Sequence, residues 1–253
     1  MREDFEEIRN GVVLAELGGY GDGPYCSKHG VGAALVMLGT YIVDAGDSVP
    51  YSPYFVFKPG RASYRAYLEE HIVAARVGGA RVGVSVVSVH IADTVDFFEA
   101  AQEAGADYAS LCAHSTMEMF VRAHVSSALC HRENWDRLRA WGTAILEAVQ
   151  IPVIFKIGAY DTPDTVGAVD VISAVGIPMV HVNVDDTDAG SEGLAMLGQL
   201  TGRCSFLIAS GGVKDVEGAR RALRAGADAV AVGTAAMKDP NLCGRIQDLL
   251  RKE

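Results

Sequence analysis

The stretch "FLIASGGVKDVEGARRALRAGADAVAVGTAAMKDP", residues 206–240, decides the fold. An apolar run breaks at Ser-Gly-Gly, restarts after one helix's worth of residues, and breaks again at Gly-Thr. Near-continuous apolar runs of this length suit strands buried on both faces of a parallel sheet. The segment between them, "KDVEGARRALRAG" (214–226), has apolar side chains at helical spacing. It ends on Gly, the residue best able to take the left-handed conformation that stops a helix. Strand, helix and parallel strand make one right-handed βαβ unit.

The same unit recurs outward from here. The other runs are "GVVLAEL" (11–17), "AALVMLGT" (33–40), "RVGVSVVSV" (81–89), "DYASLC" (107–112), "IPVIFKI" (151–157) and "IPMVHVNV" (177–184). With "SFLIAS" (205–210) and "DAVAVG" (228–233) they number eight. A helix is expected over "ADTVDFFEAAQEAG" (92–105), again closing on Gly. Eight βα units in 253 residues predict a single-domain (β/α)8 TIM barrel over 1–253. A doubly wound sheet is the competitor, and eight repeats without a domain break favour the barrel.

Two intervals are longer than the rest, and both follow strands, so both are expected as insertions on the C-terminal rim. The first, 46–61, holds Pro50, Pro53 and Pro59 among Tyr51, Tyr54, Phe55 and Phe57. It reads either as a lid or as an aromatic cover for a barrel edge. The second is 113–135, "AHSTMEMFVRAHVSSALCHRENW".

Bulk properties narrow the function. Apolar residues make up 49% and charged residues 21%, enough for a large core and against disorder. A formal charge of −10 repels phosphate backbones, which makes tRNA an unlikely partner and a small-molecule substrate the expectation. Cys26, Cys112, Cys130, Cys204 and Cys243 form no C-x-x-C pair, so no metal site is expected. The start "MREDFEEIRNG" has no apolar h-region, and no run is long enough to span a bilayer. A cytoplasmic protein without a membrane partner is the expectation; barrels commonly self-associate, which leaves room for a homo-oligomer.

The chemistry is expected at the strand ends. Ser210, Gly211 and Gly212 after one strand, and Gly233 and Thr234 after the next, let backbone amides approach an anion. The loops after the last two barrel strands are the common phosphate seat of this fold. Lys156, inside "VIFKIG", is a lysine in an apolar strand, costly to bury unless paired or used. It could neutralise charge on a flavin ring or form a Schiff base with a carbonyl substrate. In "MVHVNVDD", His181 and Asn183 share one face, and Asp185 continues it.

These residues carry a resemblance. The chain resembles the flavin mononucleotide-binding barrel family that includes dihydrouridine synthases and dihydroorotate dehydrogenases. The stretch "VVLAELGGYGDGPY" is similar to the family's first strand and turn, with Ala15, Glu16 and Leu17 at the turn, and Asp22, Pro24 and Tyr25 after it. "EAGADYASLCAHST" resembles the fourth-strand motif, "VIFKIG" the lysine-bearing strand, and "VHVN" the His-Gly-Arg strand. "IASGGV" and "GADAVAVGTAA" resemble the flavin-phosphate segment.

The resemblance implies FMN as cofactor. Its phosphate would lie on Ser210, Gly211, Gly212, Gly233 and Thr234, and its ring near Ala15, Leu17, Lys156, His181 and Asn183. Ser85 (or Ser88) stands nearest the family's third-strand Gln. Ser115 stands where the synthases carry their proton-donating Cys, and a hydroxyl is a much weaker acid than a thiol. Catalytic candidates are therefore His114, whose imidazole titrates near neutral pH, with Ser115, Cys112 and Lys156. The synthases' tRNA-holding helical domain has no counterpart; "NLCGRIQDLLRKE" reads as one amphipathic helix. The expectation is an FMN-dependent oxidoreductase acting on a small molecule. Two alternatives stand beside it, a phosphate-binding lyase or aldolase using Lys156 and a catalytically degenerate flavin-binding protein.

Overall fold

Eight parallel strands close into a ring in the computed structural model, which describes residues 5–44, 55–159, 162–184 and 190–252. The strands are β1 (Val12–Leu14), β2 (Leu35–Val43), β3 (Val56–Phe57), β4 (Arg81–Ser88) and β5 (Tyr108–Ala113). β6 (Val153–Gly158), β7 (Met179–Asn183), β8 (Phe206–Ser210) and β9 (Ala229–Val232) complete them. Closure comes from β1, which pairs with both β2 and β9. The two-residue β3 only extends the far end of β2, so the ring has eight staves and is the expected (β/α)8 barrel.

Helices alternate with the staves. They are α1 (Gly23–His29), α2 (Arg65–Ala75), α3 (Ile91–Glu103), α4 (Glu118–Arg122) and α5 (Trp135–Ala148). α6 (Thr162–Val175), α7 (Gly190–Leu200), α8 (Val216–Arg224), α9 (Thr234–Lys238) and α10 (Leu242–Leu250) follow. Among the described residues no helix is long and apolar enough to cross a membrane.

One short motif is used twice. Gly105-Ala106-Asp107 and Gly226-Ala227-Asp228 each follow a helix, α3 and α8, and lead into a strand, β5 and β9. The glycines sit at φ of +90° and +111°, the left-handed region that glycine enters without a Cβ penalty. Each aspartate then turns back. Asp107 Oδ2 accepts from Val82 N and Asp228 Oδ2 from Leu207 N, both at 2.8 Å. The start of each strand is thereby tied to the start of its neighbour, which fixes where the stave begins.

The lumen is filled from below. Phe5 and Ile8, buried ahead of β1, plug the N-terminal end, and Phe5 meets Phe206 edge-on at 5.5 Å. Above them Leu35, Met37, Ile154, Met179 and Ile208 make an apolar layer. Alternation then brings polar residues inward as each stave rises: Tyr108, Ser110 and Cys112; Ile154 and Lys156; Met179 and His181; Ile208 and Ser210. The change from apolar to polar locates the functional end at the C-terminal mouth.

The strand ends differ in detail from the sequence reading. β1 stops at Leu14, and residues 15–17 turn over the mouth instead of continuing the run. β2 runs on to Val43, with its register against β4 slipping between Leu38 and Tyr41. Of the aromatic insertion, Phe55 and Phe57 are buried and pack on Tyr41 at 5.2 and 5.6 Å, within a cluster that includes Tyr64, Tyr67 and Phe97. These two cover the barrel edge; Pro50, Tyr51, Pro53 and Tyr54 lie outside the described residues. The 113–135 segment folds into α4 and two 3-10 turns, with Ser126 Oγ donating to Cys112 O at 2.9 Å.

Phe206→Ala removes the aromatic floor of the lumen. It is expected to cost about 3–5 kcal/mol, the range for emptying a buried Phe site, read as a lowered midpoint in denaturant unfolding. A change below about 1 kcal/mol would show that the plug does not hold this end together.

Candidate functional site

The C-terminal mouth opens into one pocket of about 960 Å³. Two of its walls come from the glycine turns. Gly211 and Gly212 follow β8 with φ of +90° and +71°, two consecutive left-handed residues that only glycine adopts without strain. Without side chains, this turn leaves its backbone open to the pocket. Gly233 ends β9, and α9 begins at the next residue, Thr234. Lys214, Lys238 and Arg245 line the same wall; Arg245 is paired with Asp239 at 2.5 Å, while Lys214 and Lys238 are exposed. The sequence reading missed these three cations. Their signal was spacing: Lys238 stands one helical turn after Thr234, and Lys214 two residues after Gly212.

The floor is built differently. Lys156 rises from β6 with its side chain 11% exposed, and its Nζ lies 3.2 Å from Glu16 Oε2. Glu16 sits in the turn after β1 with its side chain 1% exposed. Both of its oxygens are buried and neither makes a hydrogen bond of good geometry, so the attraction to Lys156 is charge to charge. Burial is the largest influence and would raise the Glu16 carboxyl, but the Lys156 ammonium, together with His181 and polar contacts, holds it below the ordinary carboxylate range. His181 Nδ1 approaches the same oxygen at 3.8 Å. Burial, and then Lys156, push the His181 imidazole down to about 3, which leaves it neutral. Lys156 is thus the cation that compensates Glu16. Cys112 pairs with Lys156 across β5 and β6, and burial pushes its thiol up, against the pull of Lys156.

The remaining wall carries the titratable loop. His114, one residue past β5, lies with Nε2 2.9 Å from Asn183 Nδ2. When the amide donates, Nε2 accepts and the imidazole proton sits on Nδ1. Ser115 Oγ accepts from Met117 N at 3.3 Å, fixing the start of α4. Thr40 reaches the pocket from the slipped segment of β2.

Of the residues singled out in the sequence, Ala15, Leu17, Cys112, His114, Ser115, Lys156, Asn183, Ser210, Gly211, Gly212, Gly233 and Thr234 line this one pocket. Two do not reach it. Ser85 is fully buried, with its Oγ 3.1 Å from Thr40 Oγ1, so it supports the threonine that does the lining. His181 lies among the lumen side chains at 2% exposure and touches Glu16 instead of the open pocket. The β7 alternation was correct; His181 simply sits one layer too deep, two residues below Asn183. Asp185 lies outside the described residues.

The chain is similar in fold to many solved structures. One is a dihydroorotate dehydrogenase, DHODH, from Eimeria tenella, solved in complex with ferulenol. The TM-score is 0.72 at 18% identity, over 98% of this chain and 84% of that one, a likeness that shows the fold alone. A family model described as "Histidine biosynthesis protein" matches residues 182–253, the part that holds both glycine turns. No curated protein matches the chain in sequence.

Lys156→Met would strand the Glu16 carboxylate in the lumen. At neutral pH the expected cost is about 3–5 kcal/mol, the range for breaking a buried pair from one side. In the native protein the contribution of Glu16 is fully present above its unfolded value of 4.5 and is lost as pH falls through its lowered folded value. In the variant, burial without a cation raises the carboxyl instead, so the loss is largest at neutral pH and shrinks toward acid. Denaturation midpoints of both proteins across that range read it; parallel profiles would show that Glu16 carries no charge.

Proposed function

We propose that the chain is an oxidoreductase that uses flavin mononucleotide and acts on a small molecule. The observation that carries this reading is the division of a single pocket. A glycine turn flanked by Lys214 and Lys238 stands at the outer end, and the ammonium of Lys156 stands at the floor. A flavin needs both, an anion seat for its phosphate and an N–H donor at the polar edge of its ring. The volume lies at the upper end of the range for ligand pockets, roughly 300–1,000 Å³, with room for a second small molecule beside a flavin.

Gly211, Gly212, Gly233 and Thr234 would hold the phosphate, with Lys214 and Lys238 adding charge. Ala15 and Leu17 would pack under the ring, and Lys156 would meet its polar edge. When bound, the cofactor supplies hydride exchange with the substrate. His114 is the residue suited to exchange a proton with the substrate, held in place through Asn183. Ser115 serves as a hydrogen-bonding neighbour, since its hydroxyl is too weak an acid for the donor role. The formal charge of −10 supports a small substrate over a nucleic acid.

The match over residues 182–253 favours a second reading, a lyase or aldolase of a phosphorylated carbonyl compound with Lys156 forming a Schiff base. Attack on a carbonyl needs the neutral amine, and forming it would leave Glu16 buried without its cation. That cost ranks the lyase below the flavin enzyme.

Purified protein mixed with flavin mononucleotide is expected to retain it through gel filtration and to turn yellow. Gly212→Val, which cannot follow a φ of +71° without strain, should weaken that binding about tenfold or more. Protein that stays colourless and fails to bind the added cofactor would end the flavin reading. Borohydride trapping of a carbonyl adduct on Lys156 would establish the lyase in its place. Binding without turnover of any electron donor would mark a barrel that kept the cofactor and lost the chemistry.

A further inference from the structure

The seat and the floor of the pocket differ in net charge. At the outer wall Lys214 and Lys238 are exposed lysines, and Arg245 is matched by Asp239. At the floor the single ammonium of Lys156 stands 3.2 Å from a carboxylate whose side chain is 1% exposed. The groups that face Glu16 and Lys156 from the neighbouring staves are His181 on β7 and Cys112 on β5. Neither adds charge: the imidazole is held neutral and the thiol is held protonated by burial.

We infer that Glu16 is a specificity-determining, positioning residue: it cancels the charge of Lys156, so the pocket takes a ligand with an anionic outer end and an uncharged, hydrogen-bond-accepting inner end. Three consequences follow from the geometry. Lys156 has three N–H donors, and Glu16 engages one side of the ammonium, which leaves donors for the ligand. The ion pair holds the ammonium at one place on the floor, which fixes where the inner end of the ligand finds a donor. A ligand with negative charge at its inner end would meet the field of a buried carboxylate as well as that of the lysine, and the two oppose each other. Glu16 borders the pocket, but its side chain is 1% exposed, so its carboxylate acts on the ligand through Lys156.

The charge of the floor is independent of any cofactor, whereas its effect on a flavin rests on the function proposed above. Isotope-edited infrared spectra of protein carrying labelled glutamate test the first. At neutral pH the native protein is expected to show an ionised carboxylate band that vanishes in Glu16→Gln. In Lys156→Met the same group should absorb as a protonated carboxyl. A Glu16 already protonated in the native protein would overturn the inference.

The second test uses oxidised and reduced flavin mononucleotide as matched probes, measured without oxygen at mildly alkaline pH. The oxidised ring is neutral there and the reduced ring anionic. Glu16→Gln should shift the ratio of affinities toward the reduced form by about tenfold or more, because a unit charge is removed from a poorly solvated site. The double variant Glu16→Gln, Lys156→Met should return to within about threefold of the native ratio, since both charges are gone. The double variant also buries no net charge, so it tests the inference if Glu16→Gln alone does not fold. A native ratio unmoved by Glu16→Gln, or one lowered tenfold in the double variant, would show that Lys156 acts as an uncompensated cation. Failure of the native protein to bind flavin at all would sink the proposed cofactor and leave the infrared comparison to decide the charge of the floor.

Discussion

A stave of a closed barrel has one face in the lumen, and every second residue must go there. That constraint organises the molecule. Near the bottom it is met by apolar side chains, with Phe206 against Phe5 and with Met179 and Ile154 above them. Near the top it turns Cys112, Lys156, His181 and Ser210 inward, with only 11% of the Lys156 side chain exposed. A lysine there needs a counter-charge, and the chain provides one from outside the ring of strands. Because β1 is short, Glu16 is released from the alternation and folds over the mouth to reach Lys156. The break in strand regularity and the compensation of the buried charge are one feature seen at two levels.

The architecture was legible in the sequence because it rests on periodicities. Apolar runs mark staves buried on both faces, and glycines after helical segments mark the turns between them. The repeated Gly-Ala-Asp shows how local that information is, since each copy stops a helix and anchors a strand with its own three residues. The glycine turn after β8 was legible for a related reason: two consecutive left-handed residues strongly favour glycine whatever the rest of the fold does.

What was not legible depends on depth and on partners distant in sequence. Alternation gives the face of β7 on which His181 lies, but not its layer, and the layer decides whether it lines the pocket or buttresses Glu16. Glu16 and Lys156 are far apart in the chain, and nothing local to either announces the other. The same holds for Ser85, whose hydroxyl meets Thr40 because β2 slips against β4. Phe55 and Phe57 were ambiguous between lid and cover until Tyr41 and Phe97 were found beneath them.

Closure of the ring also bears on how the protein is made. Val12 pairs with Val230, so β1 stays open along one edge until β9 has left the ribosome. Every other stave finds its next neighbour within a few dozen residues of synthesis, but the final seam joins the two strands most distant from each other in sequence. Such long-range pairing slows folding and exposes unsatisfied strand edges in the interval.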